Sequence, residues 1–354
     1  MSEIFTLCFA LALCAQVACK LWLAARQQQH MAAHRSAVPA AFASRISLAA
    51  HQKAADYNAA QLRLGSVELL LGAALLLAWT LFGGLQWLNT ALLHFFEAGV
   101  VQQMALVLAF TLMGSLLDLP FDAWRTFVLE AKFGFNKTTW QLWLGDMVKG
   151  ALLAAVIGLP ILALVLWLMA QAGSWWWLYA WGVLLGFQLL MLLIYPTWIA
   201  PLFNQFKPLE DADLVARTTA LMQKAGLQAK GFFVMDGSRR SSHANAYFTG
   251  LGKSKRVVFY DTLMEKLAPA ELDAVLAHEL GHFKGRHIAK RMVLMFASSL
   301  AGFALLGYLS GQLWFYDGLG VRPVIGLDAS AGSALGLNAG MALLLFSLVV
   351  PVFL

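Results

Sequence analysis

Met147–Ala170, reading MVKGALLAAVIGLPILALVLWLMA, carries a single charge, Lys149. At 1.5 Å per residue a helix of this length outreaches a hydrocarbon core of about 30 Å, so the stretch reads as a membrane span. It is one of seven. The others lie near 3–25, 67–88, 104–124, 175–199, 292–314 and 331–354. The spans at 104–124 and 175–199 are the least regular: Asp118, Pro120 and Asp122 crowd one end of the former, and Pro196 interrupts the latter. Composition agrees, with 60% hydrophobic and 12% charged residues and a mean hydropathy of +0.69, against about 25% charged in a soluble domain.

The first span lacks the basic leader of a cleavable signal. Glu3 is its only early charge and Lys20 comes late, so it reads as a signal anchor with its N-terminus outside. All three cysteines (Cys8, Cys14, Cys19) lie in it, which leaves none for a disulfide or a cysteine-ligated metal in the polar region. Cations alternate between loops. Arg26, Arg35, Arg45, Lys53 and Arg63 follow the first span, and Arg125, Lys132, Lys137 and Lys149 follow the third. Fourteen Lys and Arg residues fall between Lys207 and Arg291. Positions 89–103 and 171–174 have none, and 315–330 has only Arg322. The positive-inside rule then places the basic loops in the cytoplasm. The net charge of +6 is a topology signal, and nucleic acid is not an expected partner.

Three regions follow: five membrane helices over 1–203, a polar region over 204–291, and spans six and seven over 292–354. In the polar region Leu209–Ala225 reads as an amphipathic helix opened by Pro208, acidic in its first turn and closed by Gly226. Gly231–Met235 and Arg256–Tyr260 read as short buried strands. Ala244–Thr249 alternates like an exposed strand, equally consistent with an ordinary hairpin and with an edge that an extended peptide could join.

A further helix opens at Pro269 and carries His278-Glu279-Leu280-Gly281-His282. Two histidines four apart share one helical face and can hold one Zn²⁺ ion, and the Glu between them can serve as base toward water that the ion acidifies. With 8 His in the chain, a chance His-Glu-x-x-His is expected at roughly 0.4%. His278 and His282 are thus candidate metal ligands, and Glu279 the candidate catalytic base.

Four blocks carry a resemblance: Phe133-Gly134-Phe135-Asn136-Lys137-Thr138-Thr139, Ile199-Ala200-Pro201-Leu202-Phe203-Asn204, Asp236 through Phe248, and the box followed by Phe283-Lys284. In order and spacing the chain resembles the type I CAAX prenyl endopeptidases. That implies a mainly α, multi-pass membrane protein, with seven transmembrane helices around a chamber and a small cytosolic α+β zinc-protease domain. It also implies His278 and His282 as zinc ligands, Glu279 as base, one zinc per chain, and Asn245, Ala246 and Tyr247 along the substrate. The expected setting is a bacterial inner membrane, with the N-terminus periplasmic and the site facing the cytoplasm. Peptides or proteins would be the substrates, membrane proteins or lipidated C-termini among them, with the lipid bilayer as the other partner.

Catalytic zinc ordinarily takes three protein ligands. In the resembled family the third is a Glu in a Glu-x-x-x-Asp helix after the seventh span. No such helix occurs in residues 1–354, so the sequence reads as truncated at its C-terminus, with weak zinc binding and little activity. His287 is a tempting substitute. It falls one residue short of the His-x-x-Gly-x-x-His spacing, and on a continuing helix it would point about 140° away from His282. His243 is a weaker candidate still. The missing ligand also leaves open a non-enzymatic scaffold or a transporter, for which Asp118 and Asp122 would be the intramembrane charges. Their simpler role is at a helix end, with Asp122 meeting Arg125.

Overall fold

A computed structural model describes residues 1–226, 231–249, 256–323 and 331–354. The chain is mainly helical. Among the described residues six helical stretches are long and apolar enough to cross a membrane: Ser2–His34 (α1), Leu48–Trp79 (α2), Val100–Glu130, Trp140–Gln171, Gly173–Leu202 and His287–Leu309. A shorter apolar helical stretch, Asn338–Val352, falls where the seventh span is expected. Gly84–Leu93 (α3) lies between the second and third.

The two irregular spans are continuous helices. Val100–Trp124 (α4) runs through Pro120 and on into a π-helical turn over Arg125–Glu130. Trp140–Leu153 (α5) passes through another π turn into Leu159–Gln171 (α6). Trp176–Ile194 (α7) does the same at Tyr195–Ile199, where Pro196 sits. A π turn carries one extra residue within an otherwise continuous helix.

The chain divides into two compact units. One comprises Met1–Phe133, Pro160–Ala180 and Phe303–Leu354. Its core gathers Phe9, Leu85, Leu106, Leu166, Phe315 and Leu319, all fully buried. Three buried amide side chains here are paired: Gln102 Nε2 donates to Asn89 Oδ1 at 2.9 Å, and Gln103 Oε1 accepts the Met341 amide at 3.1 Å. Asp118 and Asp122 do not mark a helix end, because the helical stretch continues past them through the π turn to Glu130. Arg125 donates to both carboxylate oxygens of Glu68 at 2.7 Å, across to α2, and all four residues line a cavity of about 480 Å³.

The other unit comprises Gly134–Leu159 and Trp181–Gly302. Its four-stranded sheet uses Phe206–Pro208 (β1), Gly231–Met235 (β2), Ala246–Thr249 (β3) and Arg256–Tyr260 (β4), in the order β1-β2-β4-β3. β2 and β4 are parallel, with Gly231 opposite Arg256, and β1 and β3 flank them antiparallel. The two central strands match the sequence expectation in type and extent. The amphipathic helix starts later than expected, at Ala212 (α8, Ala212–Lys224), because Pro208 belongs to β1 opposite Phe233. Asp211 caps it, accepting the Leu214 amide at 3.0 Å, and Gly226 closes it at φ 71°, a left-handed value that glycine adopts without strain.

After β4 come Asp261–Lys266 (α9) and Pro269–Lys284 (α10). Leu214 and Met222 of α8, Val257 and Phe259 of β4, and Leu272, Leu276 and Leu280 of α10 form one buried cluster over the sheet. The chain then enters α11 (His287–Leu309), α12 (Leu313–Asp317) and α13 (Ala331–Val349).

Candidate metal centre

Helix α10 starts where the sequence predicts. Glu271, two residues inside, turns its carboxylate back to accept the Ala268 amide at 3.0 Å, which satisfies one of the donors a helix start leaves open. Leu272, Leu276 and Leu280, spaced by four, are the stripe it buries. His278 lies two residues, or about 200°, from both Leu276 and Leu280, and His282 stands the same way to Leu280. Burial of the leucines therefore turns both imidazoles outward, and both histidines are exposed. Glu279, one residue round from His278, is half-buried.

The two Nε2 atoms stand 3.3 Å apart, with ring planes at 83°. Two nitrogens bound tetrahedrally at 2.0–2.1 Å lie about 3.3–3.4 Å from each other, so the pair fits two corners of a zinc site without rearrangement. Among the described residues no group of three or more His, Cys, Asp or Glu side chains is arranged to hold a metal ion.

His287 is not where a continuing helix would put it. The helix stops at Lys284, Arg286 takes the left-handed φ of 51°, and α11 restarts at His287. The ring swings back until its Nδ1 is 2.9 Å from Nδ1 of His282. The 140° expectation fails because the helix breaks. His243 lies elsewhere, stacked on Phe135 at 4.4 Å.

Strand β3 forms one edge of the sheet and also packs against α10. Asn245, just before it, is exposed and accepts the Tyr260 amide at 3.0 Å through its carbonyl. Ala246 is buried in the cluster beneath α10, a structural position. Tyr247 is half-buried, its hydroxyl 4.0 Å from Met235 Sδ, and burial, followed by the neighbouring Tyr260 and Tyr195 phenols, pushes it up to about 12.

The loop leading into β3 holds residues that motif reasoning passes over. Arg240 donates to Asp146 Oδ2 from Nε (2.8 Å), to Asn204 Oδ1 from Nη1 (2.6 Å) and to the Phe203 carbonyl from Nη2 (2.6 Å). Its own carbonyl accepts from the Lys137 amide and the Thr138 hydroxyl, both at 3.0 Å. Ser242 donates to the carbonyls of Phe135 and Gly134, and Asp261 accepts from the Ser238 amide at 2.8 Å. One arginine thus joins residues from three of the sequence blocks. The available signal was Asp146, a carboxylate in an apolar stretch that needs a partner.

Residues 27–205 match the family model described as CAAX prenyl protease N-terminal, five membrane helices, and residues 208–343 match peptidase family M48. A CAAX prenyl protease 1 homolog from Oryza sativa subsp. japonica is 39% identical over 65% of this chain and 55% of its own length. The CAAX prenyl protease 1 of Saccharomyces cerevisiae is 40% identical over 66% of this chain and 51% of its own. The crystal structure of S. mikatae Ste24p is similar at a TM-score of 0.83 and 31% identity, covering 95% of this chain and 81% of that one. The chain spans about half the length of the curated relatives it matches.

Proposed function

The chain belongs to peptidase family M48, with the five-helix membrane region of the CAAX prenyl proteases, and from that premise we propose a membrane-embedded zinc endopeptidase acting near the cytoplasmic membrane face. The observation that carries the proposal is the Nε2 pair of His278 and His282, exposed and 3.3 Å apart on a helix packed against a sheet edge. These two imidazoles would hold the ion, and zinc bound there would supply Lewis acidity toward water and the scissile carbonyl. The Glu279 carboxylate takes the proton of the attacking water and returns it to the leaving amine. An extended substrate adds to the outer edge of β3, where backbone N–H and C=O groups orient it. In this arrangement Asn245 and Tyr247 flank the peptide, and Ala246 acts from below by holding β3 on α10.

The substrate class follows the relatives' names as a second-tier proposal: peptide bonds near lipidated cysteines, or membrane proteins presented as extended chains. The alternation of cationic loops puts 204–291 in the cytoplasm and the N-terminus outside. In whole cells, on a background lacking Cys8, Cys14 and Cys19, an impermeant maleimide should label a cysteine at Arg322 and spare one at Lys224. The reverse pattern would invert the topology.

The zinc assignment is tested by metal content beside cleavage of a quenched peptide, on purified full-length chain. With two of the usual three protein ligands, the wild type should hold zinc weakly and cleave slowly, and both should be lost in His278→Ala. Zinc retained by that variant at the wild-type level removes His278 from the site.

A further inference from the structure

We propose that His287 is a positioning residue for the metal site: its Nδ1 accepts the Nδ1–H of His282, fixing that ring with a bare Nε2 turned toward His278. The inference rests on the assignment of His282 as a zinc ligand.

Two ring nitrogens 2.9 Å apart need a proton between them. Neutral imidazole carries one N–H. If Nε2 of His282 is to bind metal through its lone pair, that proton sits on Nδ1, and Nδ1 of His287 must be the acceptor. His287 then carries its own proton on Nε2. Its Nδ1 faces the edge of the His282 ring opposite the edge that faces Nε2 of His278. An ion shared by the Nε2 pair therefore lies across the ring from His287, which acts through His282 and does not itself ligate. Metal-bound histidines commonly need such a partner to hold tautomer and ring orientation, and the partner here is a second imidazole.

The local backbone is built to deliver this contact. Without the break after Lys284 the ring would point away, and the break requires Arg286 at φ 51°, a conformation that L side chains rarely adopt. Gly285 leaves the room the ring occupies: a methyl group there would come within 2.6 Å of His287 Nε2. Three consecutive residues thus serve one hydrogen bond.

The experiment uses full-length protein in detergent, stripped of metal and titrated with zinc against a chromophoric chelator. Circular dichroism checks that each variant is folded. His287→Leu removes the acceptor and should weaken zinc binding about 10- to 100-fold. His287→Asn offers a carbonyl oxygen near the position of Nδ1 and should recover most of that loss. Gly285→Ala should push the ring aside and weaken binding by about tenfold without touching any imidazole. Cobalt-substituted wild type and His287→Asn should share a visible spectrum that His287→Leu lacks. Wild-type affinity in His287→Leu, or in a folded Gly285→Ala should the leucine variant misfold, overturns the inference and leaves the zinc site standing. Equal losses in the Leu and Asn variants overturn it too, because acceptance is then not what His287 provides. A wild type that takes up no zinc at all overturns the ligand assignment and this inference together.

Discussion

Helix α10 and strand β3 meet at the same site but are specified at different ranges. Both imidazoles of α10 come from one five-residue segment, and the stripe that orients them recurs every four residues. Strand β3 is held at its entrance by Arg240, whose partners lie 36 to 103 residues away. The helix can form its face from local geometry alone. The loop leading into the strand is fixed by contacts to the segments around Lys137, Asp146 and Asn204. If α10 carries the chemistry and β3 the substrate, as proposed, the first depends on local structure and the second on distant side chains, so the strand is the half more sensitive to loss of a remote partner.

The sharpest way to break this comparison is at the box itself. Glu279→Gln removes the proposed base and leaves both imidazoles, so turnover should fall at least about 10²-fold, close to 2.7 kcal/mol of barrier, with zinc retained. Peptide cleavage and metal content measured together decide it. Unchanged cleavage would detach chemistry from α10 altogether.

At the strand, Arg240→Ala should act on stability and substrate use but not on metal. Arg240 and Asp146 are only 24% and 22% exposed, so truncation leaves a partly buried carboxylate without its fork. The expected cost is about 2 kcal/mol, seen as a lower midpoint of thermal unfolding, with zinc affinity unmoved. Arg240→Lys keeps the charge, loses the three-way fork, and should fall between. A loss of zinc in either variant would mean that the two halves of the site are not separately specified.

A smaller effect belongs to Gly237, in the turn before Arg240. A methyl group there would meet Tyr260 Cδ2 at 2.5 Å, against a ring already packed beside Tyr247. Gly237→Ala should cost about 1.5 kcal/mol through a displaced ring, visible in the same melting experiment. An unchanged midpoint would show that the turn gives way without strain on β4.

What could be read from the sequence follows the same division. β2, β4 and α10 are written in composition and short periods and appear where those periods place them, whereas the membrane helices are legible as apolar runs but not in their bounds: the second, expected over 67–88, runs Leu48–Trp79, and the described part of the seventh is the shorter apolar stretch Asn338–Val352. The start of α8 was misplaced because Pro208 reads equally well as a helix opener and as the end of an edge strand, and only pairing with Phe233 decides. The angular estimate for His287 assumed an unbroken helix. The left-handed Arg286 carries no signal, since the residue is ordinary and only its conformation is not. The Arg240 hub was invisible for a third reason: none of its partners lies within a window over which any local pattern runs.

The gentlest test of the strand concerns Tyr247. Its hydroxyl meets only a thioether 4.0 Å away among the contacts described, and burial pushes it up to about 12, against about 10 in an unfolded chain. The ionised form is the one the fold disfavours. The stability this group contributes is therefore complete below pH 10 and is lost as pH rises from 10 through 12, where the unfolded chain releases the proton first. Tyr247→Phe has no proton to lose. Near pH 8 it should unfold within about 0.5 kcal/mol of the wild type, and at pH 11 it should be the more stable of the two. Tyr260, raised in the same direction by its own burial, remains in both proteins and cancels. If β3 guides substrate through its backbone, cleavage at pH 7 should be unchanged in Tyr247→Phe. Unfolding midpoints at the two pH values, with cleavage measured at pH 7, settle both points. A variant that keeps its stability but loses cleavage would give the Tyr247 hydroxyl a direct part in handling the substrate.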